Sequence, residues 1–197
     1  MIISISGTAG SGKSSLAKKL AVALSWPRYY MGGLRRQKAA TLGLTLAQYN
    51  ILGENDPSTD QEVDLYQKEL GEKNDNFIIE GRTSWYFIPQ SVKIYLFADH
   101  ETAAERIAKD LAHSSERNEG ALSANRKDII KSLQQRSQSD QIRYQKYYGF
   151  DVNNQSHYDF CLDTSSLSRA EVFRKICHFL SQKGLNVPDW SGLTKSP

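Results

Sequence analysis

Cysteine is scarce: of 197 residues only Cys161 and Cys177 carry a thiol. Two thiols cannot build the disulfide framework of a small secreted domain, and the scattered histidines (His100, His113, His157, His178) supply no zinc-ligand spacing beside them. Long hydrophobic runs are missing too. No stretch approaches the roughly 18 apolar residues of a membrane span. Met1-Ile2-Ile3-Ser4-Ile5-Ser6 carries no basic leader, so the expectation is a cytoplasmic protein with no signal peptide and no membrane partner. Charge of one sign is not in excess either. A net charge of +3, spread without long like-charged blocks, is too weak to predict a nucleic-acid partner.

What remains is a normal globular balance, with 39% hydrophobic and 24% charged residues and enough length for a full core. Short β-branched or apolar runs predict strands at Ile2–Ile5, Arg28–Met31, Asn76–Glu80, Val92–Phe97 and Tyr158–Leu162. Helical patterns lie between them, from about Gly12 to Leu24, Thr102 to His113, Ser123 to Tyr148 and Ser168 to Gln182, with Thr102 and Ser168 as caps. Thr45 reads as a cap for Leu46–Leu52, and Asp56-Pro57 as the start of another helix. Ser114 to Ala121 reads as a loop. Strands alternating with helices predict an α/β fold in three layers, helix, sheet and helix, around a five-stranded parallel sheet. Two helical insertions, about 34–73 and about 106–148, interrupt the alternation. Residues 1–183 read as a single domain, expected to act as a monomer, and 184–197 as a loosely held tail on which Trp190 could dock.

The N-terminal strand runs into Gly7-Thr8-Ala9-Gly10-Ser11-Gly12-Lys13-Ser14, an ungapped G-x-x-x-x-G-K-[ST], with Ser15 following. Its glycines let consecutive amides turn inward onto phosphate oxygens, and the helix that opens near Gly12 adds the positive end of its dipole. Lys13 can reach the β- and γ-phosphates of ATP, and the Ser14 hydroxyl can ligate Mg²⁺. Glu80, ending a strand, could hold a Mg²⁺-bound water. A guanine-specific GTPase would carry an Asn-Lys-x-Asp segment, which is missing here, and a transport ATPase would be larger.

Four stretches together resemble the cytidylate kinases, in particular their shorter archaeal-type branch: Ile5 to Lys18, Met31-Gly32-Gly33-Leu34-Arg35-Arg36, Ile79-Glu80-Gly81-Arg82, and Arg136, Asp140 and Arg143 at i, i+4 and i+7. The resemblance implies a P-loop kinase fold whose insertions are a monophosphate-binding region and a lid. It implies transfer of the γ-phosphoryl group of ATP to CMP or dCMP, with Mg²⁺. The arginines matching Arg136 and Arg143 bind phosphates in that family, and the acid matching Asp140 helps hold the sugar. Lys13, Arg136 and Arg143 are therefore the expected catalytic cations. Arg35 or Arg36 should grip the acceptor phosphate, and since they point about 100° apart on a helix only one is expected to face the cleft. Arg82 follows a strand at the sheet edge where ligands of open α/β sheets bind. Arg106, with Lys109 and Arg117, fits a lid over ATP.

The base is less determined. Longer bacterial members follow the Gly-Arg turn with aspartate, where this chain has Thr83-Ser84-Trp85. The two hydroxyls could bond a base, and Trp85 or Tyr86 could stack on it. Asp60, Asp64 and Gln67 form another candidate face, against which stands an ordinary reading as capping and helix-surface charge. An adenylate or other small-metabolite kinase, and a nucleotide-binding module without transfer, stay open as alternatives.

Overall fold

The computed structural model describes residues 1–113 and 125–188. Residues 114–124 (with Arg117 and the start expected at Ser123) and 189–197 (with Trp190) lie outside them. In chain order the elements are β1 (Ile2–Gly7), α1 (Lys13–Leu24), β2 (Arg28–Tyr30), α2 (Met31–Thr41), α3 (Leu46–Gly53), α4 (Ser58–Lys73), β3 (Phe77–Glu80), α5 (Ser84–Phe87), β4 (Val92–Phe97), α6 (His100–His113), α7 (Arg126–Tyr148), a 3-10 turn (Gln155–His157), β5 (Phe160–Asp163) and α8 (Arg169–Gln182).

All strands pair in parallel in the order β2-β3-β1-β4-β5. β1 is central and buried along its length, as a strand covered on both faces must be. Its side chains alternate between two cores. Ile3 and Ile5 face α1 and α8, packing with Leu16, Leu20, Phe173 and Ile176. Ile2 faces the other layer with Met31, Val63, Leu70 and Phe77. Each such fully buried aliphatic side chain contributes about 1.5–3 kcal/mol. The chain reverses direction of winding at β1, so the C-terminal ends of β1 and β3 open a crevice there.

Several local expectations are corrected. Helix α6 starts at His100, because the Asp99 carboxylate accepts the Thr102 amide at 2.7 Å; Asp99, not Thr102, holds that end. α6 is no free lid. Ala103, Ala104 and Ile107 are buried against Ile129 and Leu133 of α7. The first insertion is already helical at Met31, as α2. The tail begins docked rather than loose: Leu185 and Val187 pack on the α1–α8 core, and the Leu185 amide donates to Leu180 O at 3.0 Å. Among the described residues no helix is long and apolar enough to cross a membrane.

Candidate active site

The C-terminal ends of the strands surround a cavity of ≈780 Å³. At its first end β1 turns at Gly7, where φ is +134° and an added Cβ would sit 1.8 Å from Leu96 O. Only glycine fits there, so β1 can bend sharply against β4. The loop that follows is pinned from three sides. The Thr8 amide donates to Leu96 O (3.0 Å), the Ala98 amide to Thr8 Oγ1 (3.2 Å), and Thr164 Oγ1 to Ser11 O (3.1 Å). Lys13 Nζ donates to Thr8 O. Helix α1 then begins from a left-handed Gly12 with no side chain capping it, so its first amides stay directed at the loop's concavity. Ala9, Gly10, Ser11, Gly12, Lys13, Ser14 and Ser15 line the cavity. Gly7 and Thr8 stand behind it and shape the turn.

Arg106, expected on a lid, is instead clamped beneath the loop. Its guanidinium donates to Gly10 O (3.4 Å), Thr164 Oγ1 (3.0 Å) and Thr164 O (2.6 Å) while still lining the cavity. Lys109 pairs with Glu105 on the exposed face of α6. Midway along the wall, Ser14 Oγ donates to Glu80 Oε2 at 2.7 Å, and Arg28 pairs with the other Glu80 oxygen. A hydroxyl and a carboxylate side by side are the hard oxygen donors that suit Mg²⁺, which takes few protein ligands and draws the rest from phosphates and water. The donor set fits that ion. Arg28 has no motif around it, and nothing in the sequence singled it out.

The second end is cationic. Arg35, Arg36, Arg82 and Arg136 all line the cavity, together with Asp140. The expectation that only one of Arg35 and Arg36 faces the cleft is thus corrected. Arg35 reaches inward to Asn50 Oδ1 (2.9 Å) and Asp60, whereas Arg36 holds Tyr30 OH and Gly32 O near the rim. Arg143 is not on the wall. Its side chain is 0% exposed, bonded to both oxygens of Asp60 (2.7 Å each) and to Asp140, whose other oxygen meets Arg82 Nε at 2.7 Å. The result is a chain of alternating charge from α2 through α4 and α7 to the turn after β3. Burial opposes ionisation of Asp140, but Arg82, Arg143, Arg136 and Arg35 together hold its pKa below the usual carboxylate value.

Helix α4 departs furthest from the sequence reading. Asp60, Asp64 and Gln67 are 5%, 7% and 1% exposed, a buried polar stripe and not a solvated face. Burial pushes the Asp64 carboxyl up to about 6, against the lowering effect of hydrogen bonds from Tyr148 and Thr83. Trp85, expected as a base-stacking ring, is core: it stacks on His157 (centroids 4.5 Å apart) and its Nε1 donates to Arg82 O at 3.1 Å, bracing that turn. Tyr86 turns to Tyr148 and Phe150.

Comparison with known proteins adds a lineage to this geometry. The profile of the cytidylate kinase-like family matches residues 2–166. A cytidylate kinase of Archaeoglobus fulgidus is 32% identical over 191 residues, covering 95% of this chain and 98% of that one. Another, from Methanocella arvoryzae, is 36% identical over 170 residues, covering 84% and 88%. Among solved structures, a shikimate kinase from Acinetobacter baumannii superimposes with a TM-score of 0.59 at 14% identity, covering 94% of this chain and 95% of its own, which speaks for the fold alone.

Proposed function

This chain belongs to the cytidylate kinase-like family, and on that premise we propose that it transfers the γ-phosphoryl group of ATP to CMP or dCMP, giving ADP and CDP or dCDP. One observation supports the reading above the others: a single cavity joins an amide-lined phosphate loop to a cluster of four arginines. Two phosphate-bearing molecules can meet there end to end.

ATP lies with its β- and γ-phosphates on the amides of Ala9 to Ser14, Lys13 swinging from Thr8 O to the γ-phosphate. Gly7, Thr8 and Arg106 keep the loop in shape beneath them. Ser14, with Glu80 behind it, would hold Mg²⁺, which would offset the charge of the phosphate oxygens. The acceptor phosphate is gripped by Arg35, Arg36, Arg82 and Arg136, and Asp140 faces its sugar while fixing Arg82. Arg143 acts as a positioning residue, locking Asp60 and Asp140. No general base is needed, because the acceptor phosphate is already an anionic nucleophile; catalysis is alignment plus charge neutralisation. Residues 1–183 make up the kinase unit, with 184–197 as a tail. We place the reaction in the cytoplasm and assign it to a monomer.

A coupled assay of ADP formation over CMP, dCMP, UMP, AMP and GMP tests the assignment. CMP or dCMP is expected to be the best acceptor. Turnover of AMP with none of CMP would overturn it.

A further inference from the structure

Five residues of the acceptor end have no part in gripping phosphate. Ser84 Oγ donates to Gln67 Oε1 at 2.6 Å, and Gln67 Nε2 donates to Thr83 Oγ1 and to Asp64 Oδ1, both at 3.1 Å. Thr83 Oγ1 donates in turn to Asp64 Oδ1 at 3.3 Å, and Tyr148 OH donates to Asp64 Oδ2. Every hydroxyl and amide proton in this relay thus runs toward one carboxylate. Gln67 and Ser84 are buried behind the wall, whereas Asp64 and Thr83 reach the cavity.

A carboxylate offers about four lone-pair positions. Three donors from the protein occupy three of them, two on Oδ1 and one on Oδ2, which leaves Oδ2 of this cavity-lining residue one acceptor position. Because Thr83 directly follows Arg82, this acceptor is tied to a phosphate-gripping residue by one peptide unit. The ligand group that suits it is a neutral N–H donor lying beyond a held phosphate.

Resting on the reading of the cavity as a nucleoside monophosphate site, we infer that Asp64, oriented by Gln67, Thr83 and Tyr148, accepts a hydrogen bond from the exocyclic amine of cytosine and is the residue that rejects uracil. Cytosine presents an amine at C4 where uracil presents a carbonyl. Facing uracil, the remaining lone pair of the carboxylate would oppose a second acceptor and leave the uracil carbonyl buried without a donor, the kind of mismatch on which sites discriminate most strongly. Above pH 6 the carboxyl is ionised and can only accept. In this arrangement Gln67, Thr83 and Tyr148 all donate to Asp64, so none of them offers uracil a proton.

The experiment measures kcat/KM for CMP, dCMP and UMP in the wild type, Asp64→Asn and Thr83→Val, with ATP binding as the check on folding. Wild type is expected to favour CMP over UMP strongly. Asp64→Asn should lower kcat/KM for CMP at least 100-fold and cut the CMP:UMP ratio at least 10-fold, with dCMP falling in parallel. Thr83→Val, which removes one orienting donor at similar volume, should lower the ratio several-fold and carries the test if Asp64→Asn fails to bind ATP. An unchanged ratio in the folded variants overturns the inference, as does a loss confined to CMP with dCMP spared, which would make Asp64 a sugar ligand. A wild type that phosphorylates no nucleoside monophosphate refutes the underlying function instead, so the two failures are distinct.

Discussion

Lys13 rests on the Thr8 carbonyl, a contact it can exchange for a phosphate oxygen without moving the backbone. Lys13→Ala should therefore leave the circular dichroism spectrum unchanged and lower kcat by about 10²–10³-fold, roughly 3 kcal/mol of transition-state stabilisation. Retained turnover would show that the loop lysine has another task. Asp64 makes a second prediction, in pH. Its folded pKa of about 6 lies above the unfolded 3.8, and the groups facing it are Asp60 on α4, Arg35 from α2, Tyr148 from α7 and the neutral Thr83 and Gln67. Protonation removes the acceptor, so the CMP:UMP ratio of kcat/KM should fall as pH drops through about 6 and be flat in Asp64→Asn. Taking the ratio cancels the titration of the acceptor phosphate, which UMP shares. The raised pKa also carries a stability cost of roughly 3 kcal/mol. The contribution is fully favourable below about pH 4 and is lost as pH rises through 6. Of these residues, Lys13 was legible because its motif is contiguous. Asp64 was legible only as one of two readings, a base reader or a solvated face: a polar helix face reads the same whether it meets water or buried donors, and its partner Tyr148 lies 84 positions away in sequence.

Helix α7 carries two arginines on one face, and their surroundings predict opposite symptoms. Arg136 lines the cavity, so Arg136→Met should lower kcat/KM by about 10²-fold or more while moving the melting temperature little. Arg143 is buried between Asp60 and Asp140, so Arg143→Met takes from each of these buried carboxylates one of its two arginine partners and should cost about 3 kcal/mol. Calorimetry should show this as a drop of roughly 6–12 °C for a domain of this size. Equal melting temperatures for the two variants would mean that Arg143 is no strut. Helix ends were legible wherever the cap is a local pattern. Thr45 and Ser168 both form the reciprocal bonds expected of Thr-x-x-Gln and Ser-x-x-Glu. At α6 the spacing misled, because Asp99 and Thr102 are both good caps and only the 2.7 Å bond to the Thr102 amide decides between them. The same helix shows what local pattern leaves out around Arg106: an arginine after an apolar stretch does not reveal that Thr164, 58 positions on, will tie it down.

Across the whole molecule, the alternation of strands and helices was enough to expect a parallel sheet in three layers, but not the placing of β1 between β3 and β4, which depends on long-range pairs such as Ile3 with Ile78 and Ile5 with Ile94. That central placing brings the phosphate loop, Glu80 and the Arg82 turn to one crevice. It also gathers Lys13, Arg35, Arg36, Arg82 and Arg136 around one cavity, where their mutual repulsion works against the fold until anions arrive. Polyanionic ligands should accordingly stabilise the fold as a whole. Mg²⁺–ATP at 100 times its Kd contributes about 2.7 kcal/mol, a rise of roughly 5–10 °C in melting temperature. CMP added to the ATP-saturated protein should raise it further, since its phosphate meets the arginine end and not the loop. Both shifts should shrink in high salt, and the ATP shift should shrink selectively in Lys13→Ala and the CMP shift in Arg136→Met. Shifts that are equal for the two ligands in both variants would mean that the cavity is one undivided anion site, with no separate seats for donor and acceptor.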